Sequence, residues 1–215
     1  VSYDDANEAY TARYNHETLA LAFSITEEAI EDNLYDRLGS RYTKALARSM
    51  AHSKQVKAAA VLNNAFTAGA SAGGDGVALC SAAHPLTINI AGFVDERGLK
   101  VALRGLKMII PRQLQFVAER ILASNLRSGT ADNDTNAMRS MGMLPGGYAV
   151  NDFLNDPDAF FVLTDAPRGF IHFERTPLST NMEADFDTGN MRFKARERYS
   201  FGFSDPRCVF GSPGV

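Results

Sequence analysis

One unbroken stretch, Ser24–Phe66 (SITEEAIEDNLYDRLGSRYTKALARSMAHSKQVKAAAVLNNAF), limits most strongly what this chain can fold into. It contains no proline and a single glycine, Gly39. It is rich in Ala, Leu, Glu, Lys and Arg, which lose little freedom on becoming helical. Ser24 followed by Glu27 fits a capping box, with Thr26 as a competing N-cap. Glu27, Glu28, Glu31 and Asp32 open the stretch while Lys54 and Lys57 come late, a polarity that suits the helix dipole. At about 1.5 Å per residue, about 40 residues make a rod of about 60 Å, well beyond the usual helix. The stretch therefore predicts a strut in an extended subunit.

The apolar pattern says what the strut rests on. Ile30, Leu34, Leu38 and Tyr42 recur every fourth residue. Ala45, Leu46, Met50, Val56, Ala59, Ala60 and Leu62 continue a stripe that drifts round the rod. There is no sustained heptad, so a sheet, not a coiled-coil partner, is expected beneath part of its length. Gly39 is expected to mark a bend or a close contact.

Ahead of the helix, Glu8–Ile25 alternates but is polar on both faces until Leu19–Phe23. That fits either an extended hairpin arm poorly buried in its own subunit or an edge strand of the main sheet. Behind it, Gly69–Gly76 (GASAGGDG) is a loop, with no Gly-Lys-Ser/Thr to make it a phosphate cradle. Val77–Pro85 reads as a short strand or turn. Leu99–Ile110 reads as a strand pair turning at Gly105. Pro111 is placed to start a helix over Arg112–Ala123, with Leu114, Val117, Ala118, Ile121 and Leu122 on one face. Asn125–Met143 is loop-rich. Tyr148–Phe153, Phe160–Leu163, Phe170–Glu174 and Met191–Phe203 read as strands between Pro, Gly and Asp turns. The order of elements indicates an α+β fold.

Composition narrows the function without naming it. Of 215 residues, 45% are hydrophobic and 22% charged, with a formal net charge of −3, so nothing in the bulk charge indicates a nucleic-acid binder. No apolar run reaches the roughly 18 residues needed to span a membrane. The polar start without an initiator Met is expected to reflect a processed or partial product. Cys80 and Cys208 lie far apart and are expected to be free thiols in a reducing compartment.

Candidate chemical sites are few. Cys80 and His84 could form a thiol–imidazole pair, but no helix fixes the spacing and no third residue is indicated. Asp132, Asp134 and Asn136 resemble the opening of a calcium loop. Ala137 stands where Gly is needed and Met143 where Glu is needed, so that assignment fails. His16, His52, His84 and His172 lack metal-ligand spacing. No catalytic, cofactor or metal residue is expected. The run Lys194–Arg198 (KARER) alternates along a strand, and Glu183, Asp185 and Asp187 cluster in the loop NMEADFDTGN. The plain readings are a bare surface strand and a solvated loop; the sharper one, suggested by their opposite charges, is an intersubunit contact of Glu183 and Asp185 with Arg196 or Arg198.

Three stretches in order are similar to the major capsid proteins of tailed bacteriophages, the Hong Kong-type head fold. Leu106–Leu122 (LKMIIPRQLQFVAERIL) resembles the family's strand, proline, helix. Gly147–Arg175 (GYAVNDFLNDPDAFFVLTDAPRGFIHFER) resembles the strand, loop, strand, Asp, Gly, strand, Arg segment. Gly189–Ser212 (GNMRFKARERYSFGFSDPRCVFGS) resembles the closing strand and the final small strand. The runs YTARYNHETLALAFSITEEAIEDN and ALARSMAHSKQVKAAAVLNNAF look closest to the Mu-like major head subunit branch. The chain departs from the pattern at its start, where the family's N-terminal arm is missing. It departs again between Pro85 and Phe93, where a longer loop and helix are usual and LTINIAG stands instead; omitted residues are expected there rather than a true deletion. Self-crosslinking variants of the family need a Lys on the extended loop, and residues 1–25 hold none.

The resemblance implies a tailed-phage major capsid fold with an extended hairpin loop, a long spine helix, a peripheral domain and an axial domain. Residues 1–25 would be the extended arm and 26–91 the spine helix with the first part of the peripheral domain. Residues 92–178 would be the axial domain and 179–215 the closing peripheral strands. It implies a non-enzymatic structural protein, without cofactor, that self-assembles into pentamers and hexamers of an icosahedral head in the virion, assembled in the host bacterial cytoplasm. Portal, scaffolding and decoration proteins and packaged double-stranded DNA, touched without sequence specificity, are its implied partners; a membrane is not. Intersubunit contacts are expected at Arg13, Tyr14, Glu17, Glu183, Asp185, Arg196 and Arg198. An encapsulin-like nanocompartment shell, a small α+β enzyme and a helical adaptor built on the rod are the alternatives.

Overall fold

The structure, a computed structural model, describes residues 12–32, 35–67, 76–81, 102–126 and 134–214. Its chain groups into two compact units. One comprises Tyr14–Ala58 and His172–Phe201; the other is built chiefly on Ala59–Ile171 and Gly202–Val215.

The first unit is a three-stranded sheet under a helix. Strand β1 (Glu17–Ile25) pairs antiparallel with β6 (Met191–Phe203), from Glu17 opposite Tyr199 to Ile25 opposite Met191. Strand β5 (Phe170–Ala184) forms the other edge, giving the order β1-β6-β5. Period-two alternation decides the faces. Leu19, Leu21, Phe23 and Ile25 lie opposite Glu197, Ala195, Phe193 and Met191, while Ala20, Ala22, Ser24, Arg192, Lys194 and Arg196 are exposed. Phe23 and Phe193 stack at 4.7 Å between ring centres. Helix α2 (Tyr35–Asn63) lies on this inner face: Tyr42 meets Phe23 at 5.6 Å and Gly39 approaches Ile25. The expected helix-on-sheet arrangement is therefore present. A Cβ at Gly39 would sit 3.8 Å from Ile25, an ordinary contact, so Gly39 serves close packing without forbidding a side chain.

The start of the helical stretch differs from the capping-box expectation. Ser24 stays in β1, the short helix α1 runs over Glu27–Glu31, and Thr26 is its N-cap without a side-chain bond. The Glu27 N–H instead donates to Asn190 Oδ1 at 3.3 Å, a cap supplied 163 residues away. Leu34 lies outside the described residues. Along α2 the stripe is buried at Met50, Ala59 and Leu62, with Val61 buried beside it, whereas Tyr42 and Val56 are exposed.

The second unit holds a four-stranded mixed sheet, β3-β2-β4-β7. Its strands are β2 (Gly105–Ile110), β3 (Tyr148–Val150), β4 (Phe160–Thr164) and β7 (Val209–Ser212). The β2–β3 pair is parallel and the β2–β4 and β4–β7 pairs are antiparallel. Ile110, Phe161, Val162, Cys208 and Val209 form its core with Ala65 and Leu79, and Phe66 stacks on Phe161 at 5.7 Å. Gly105 lies within β2 rather than at a turn. A Cβ there would come 2.9 Å from the Leu144 side chain and 3.1 Å from that of Val162, so glycine keeps this approach close and a larger residue would have to push those side chains aside. Pro111 precedes a 3-10 turn (Arg112–Leu114), and helix α3 covers only Gln115–Leu122. Of its expected apolar face Ala118 alone is fully buried; Val117 and Ile121 are exposed, and Phe116 is 85% exposed. Within the loop-rich segment a short helix α4 (Ala137–Ser140) is capped by Asn136, whose Oδ1 accepts from Met138 N–H and whose amide donates to Ile121 O and Ser124 O.

Candidate assembly surfaces

The hairpin between β5 and β6 is built as a closed turn yet is exposed along nearly its whole length. Gly189 adopts φ +68°, and a Cβ there would fall 2.3 Å from a Glu27 carboxylate oxygen. The turn is closed by Asp185 N–H to Asn190 O at 2.8 Å and Gly189 N–H to Asp185 O at 2.9 Å. Asp185 also accepts from the Thr188 hydroxyl at 2.6 Å and pairs with Arg192. This locked turn holds Phe186 fully in solvent, 100% exposed, between exposed Glu183 and Asp187. Behind it, β5 is exposed at almost every position from His172 to Ala184, with Leu178 and Met182 uncovered. Leu178 and Met182, four residues apart and so on one face of the strand, leave apolar side chains in solvent there.

The structure separates the residues singled out in sequence. Arg13 is exposed, and Tyr14 packs edge-on against Phe173 at 4.9 Å. Glu17, at the first position of β1, pairs with Lys57. Glu183 and Arg196 are both exposed. Asp185 is engaged by Arg192 inside its own hairpin, and Arg198 is half-buried with its Nε lacking a partner. Within one chain, therefore, neither Arg196 nor Arg198 has an ion pair with Asp185.

Sequence reasoning missed a charged cluster on the inner face of the sheet. Glu197 is 4% exposed, and Lys54 of α2 lies 3.8 Å from it and 3.5 Å from Glu174. The Lys54 ammonium also stands over the Tyr199 ring, 5.2 Å from its centre. Burial, with the nearby Glu197 charge, pushes the Tyr199 hydroxyl above its ordinary range. The signal was in KARER itself: strict alternation turns every second residue inward, and Glu197 falls there with Ala195 and Tyr199.

Burial pushes the Cys80 and Cys208 thiols up to about 12, which keeps them protonated and poorly nucleophilic at neutral pH. His84 and Asp132 lie outside the described residues. A cavity of about 530 Å³ beside Arg120, Ser124, Asp134 and Met138 has its Asn136 amide already committed to holding the loop. Among the described residues there is no group of metal-ligating side chains, and no helix is long and apolar enough to cross a membrane.

Comparison with known proteins gives these surfaces a context. The model of a family described as phage capsid protein matches residues 9–211. No curated protein matches the chain. Among solved structures, the chain is similar to the capsid of Myoviridae phage XM1, with TM-score 0.57 and 12% identity over 94% of this chain and 74% of that one. A Mycobacterium phage Che8 chain gives TM-score 0.51 and 16% identity over 91% and 70%. The procapsid of bacteriophage JBD30 gives 0.50 and 18% over 93% and 52%. These likenesses establish the Hong Kong-type fold without singling out the Mu-like branch.

Proposed function

Because the chain belongs to the phage capsid protein family, in which it is a structural shell protein that associates with its own copies, we propose that it forms the pentamers and hexamers of an icosahedral head around double-stranded DNA. The observation that carries this reading is the bare β5 edge with its hairpin: a strand exposed on both faces and ending in a fully exposed Phe186 is buried only when neighbours arrive. Closed rings need heterologous contacts, in which different surfaces of identical subunits meet. The unit Tyr14–Ala58 with His172–Phe201 would be the peripheral domain. The unit carrying the four-stranded sheet would be the axial domain converging on capsomer centres. In this reading residues 202–215 go with the axial domain and not with the closing peripheral strands, because β7 hydrogen-bonds to β4.

Arg13, Tyr14 and Glu17 at the entry to β1, and Glu183, Arg196 and Arg198 on β5 and β6, are the proposed intersubunit positions. Asp185 acts there indirectly, by holding the turn that presents its neighbours. Assembly would take place in the host bacterial cytoplasm, with portal, scaffolding and decoration proteins as further partners and the genome touched without sequence reading. Electron micrographs of the purified protein test this: capsomer rings or closed shells are the expected result, and a monodisperse monomer at every concentration and salt would overturn it. An encapsulin-like shell is the less favoured reading, since the family matched is that of phage capsids.

A further inference from the structure

The charge on helix α2 is overwhelmingly of one sign. Over Tyr35–Asn63 it carries Arg37, Arg41, Lys44, Arg48, Lys54 and Lys57 against one carboxylate, Asp36. Solvent-facing helices ordinarily interleave the two signs, because like charges three or four residues apart repel. Lys54 and Lys57 are accounted for by Glu174, Glu197 and Glu17 of the same unit. Arg41, Lys44 and Arg48 are exposed, and no described acidic residue pairs with them. At i, i+3 and i+7 they share one face and span about 10 Å of axis. The same unit carries the opposite pole elsewhere: with Asp185 neutralised by Arg192, Glu183 and Asp187 leave the hairpin tip net negative around Phe186.

We propose that the Arg41–Lys44–Arg48 stripe is the docking surface for the hairpin tip of a second copy of this chain. This rests on the shell reading above and names the complementary pair that one heterologous contact would use. Charge complementarity selects the occupant. The acidic tip is pre-organised by its own turn, so little ordering is needed on docking. Phe186, flanked by carboxylates, offers an aromatic face over which a guanidinium can sit. Opposite charges at rim positions fix register and steer encounter, and their effect weakens as salt rises.

Charge reversal in both directions tests the pairing. The helix variant R41E/K44E/R48E and the hairpin variant E183K/D187K are each expected to lower the yield of shells more than tenfold at low salt, with unchanged circular dichroism. Combining the five substitutions is expected to restore most of the yield, because the poles are exchanged. Phe186→Ser is expected to weaken assembly alone. Full assembly by both charge variants would overturn the pairing, as would two failures that the combined variant does not rescue. Normal shells from the helix variant that hold less nucleic acid, read from absorbance at 260 and 280 nm, would also overturn it and assign the stripe to a polyanion. Absence of particles from the parent protein would instead remove the shell reading on which the pairing rests.

Discussion

Replacing Lys54 by Met removes the ammonium beneath the sheet while keeping most of the hydrocarbon stem. The Glu197 carboxylate would then be left at 4% exposure without its Lys54 partner. Breaking a fully buried pair from one side costs about 3–5 kcal/mol, because the remaining charge is left uncompensated. Here the Lys54 side chain is about a third exposed and its ammonium lies 3.8 Å from Glu197, so water screens part of the interaction. A loss of about 2–3 kcal/mol follows from scaling that range down for the partial exposure, including the contact over Tyr199. At about 2–4 °C per kcal/mol for a chain of this size, the midpoint should fall by about 4–12 °C. Thermal and urea unfolding of unassembled subunits, followed by circular dichroism, would read it. The signature is recovery: adding Glu197→Gln to Lys54→Met removes the stranded charge and should restore more than half the loss. Glu174→Gln should cost less than about 1 kcal/mol, since that carboxylate is far more exposed. A Lys54→Met protein as stable as its parent, or one that Glu197→Gln does not rescue, would refute the account of this cluster.

Three other outcomes can be checked directly. Gly189→Ala should destabilise by about 1–3 kcal/mol in thermal melts, since it places a side chain at positive φ and drives a Cβ against Glu27. Cys80 and Cys208, with thiols pushed up to about 12, should react with an aromatic disulfide at pH 8 only after urea unfolding; fast reaction in the folded state would contradict their burial. Asp152 receives a bidentate hydrogen bond from Arg112, which holds its carboxyl below the usual range. Its contribution is present above the unfolded carboxylate range and is lost as pH falls through the folded value, so Arg112→Met should raise the Asp152 titration seen by carboxyl NMR.

How much of this was legible depends on whether the deciding contact was local. Strand β6 runs over Met191–Phe203, as read, because alternation marks it from end to end. Strand β5 was read as ending at Glu174 yet continues to Ala184. Pro177 and the polar run TPLSTN argue against a central strand, but an edge strand tolerates proline where no ladder donor is needed. The capping box at Ser24 was a sound local pattern, overridden because the strand claims Ser24 and Asn190 supplies the cap. No local signal could reveal a partner so distant. The alternation of KARER was visible, whereas the face destined for α2, and hence the burial of Glu197, depended on a contact with Lys54. The strong basic excess of α2 was written in the sequence and needed only to be counted. The Phe186 tip had no distinguishing local pattern; its exposure follows from a turn made by Asp185, Thr188, Gly189 and Arg192 together.

The pairing of β1 with β6 also sets a timetable. Glu17 meets Tyr199 and Ile25 meets Met191, so nearly everything between must leave the ribosome before the sheet can close. At about 5–20 residues per second that interval is on the order of ten seconds or more. Throughout it, Leu19, Leu21 and Phe23 of the nascent chain have no strand to cover their edge, and the hairpin bearing Phe186 does not yet exist. If subunits dock through this hairpin, as proposed, a growing subunit has no means of doing so before that point. Its early strand waits unpaired, and under the proposed pairing competence to associate through the tip would arrive only with β6.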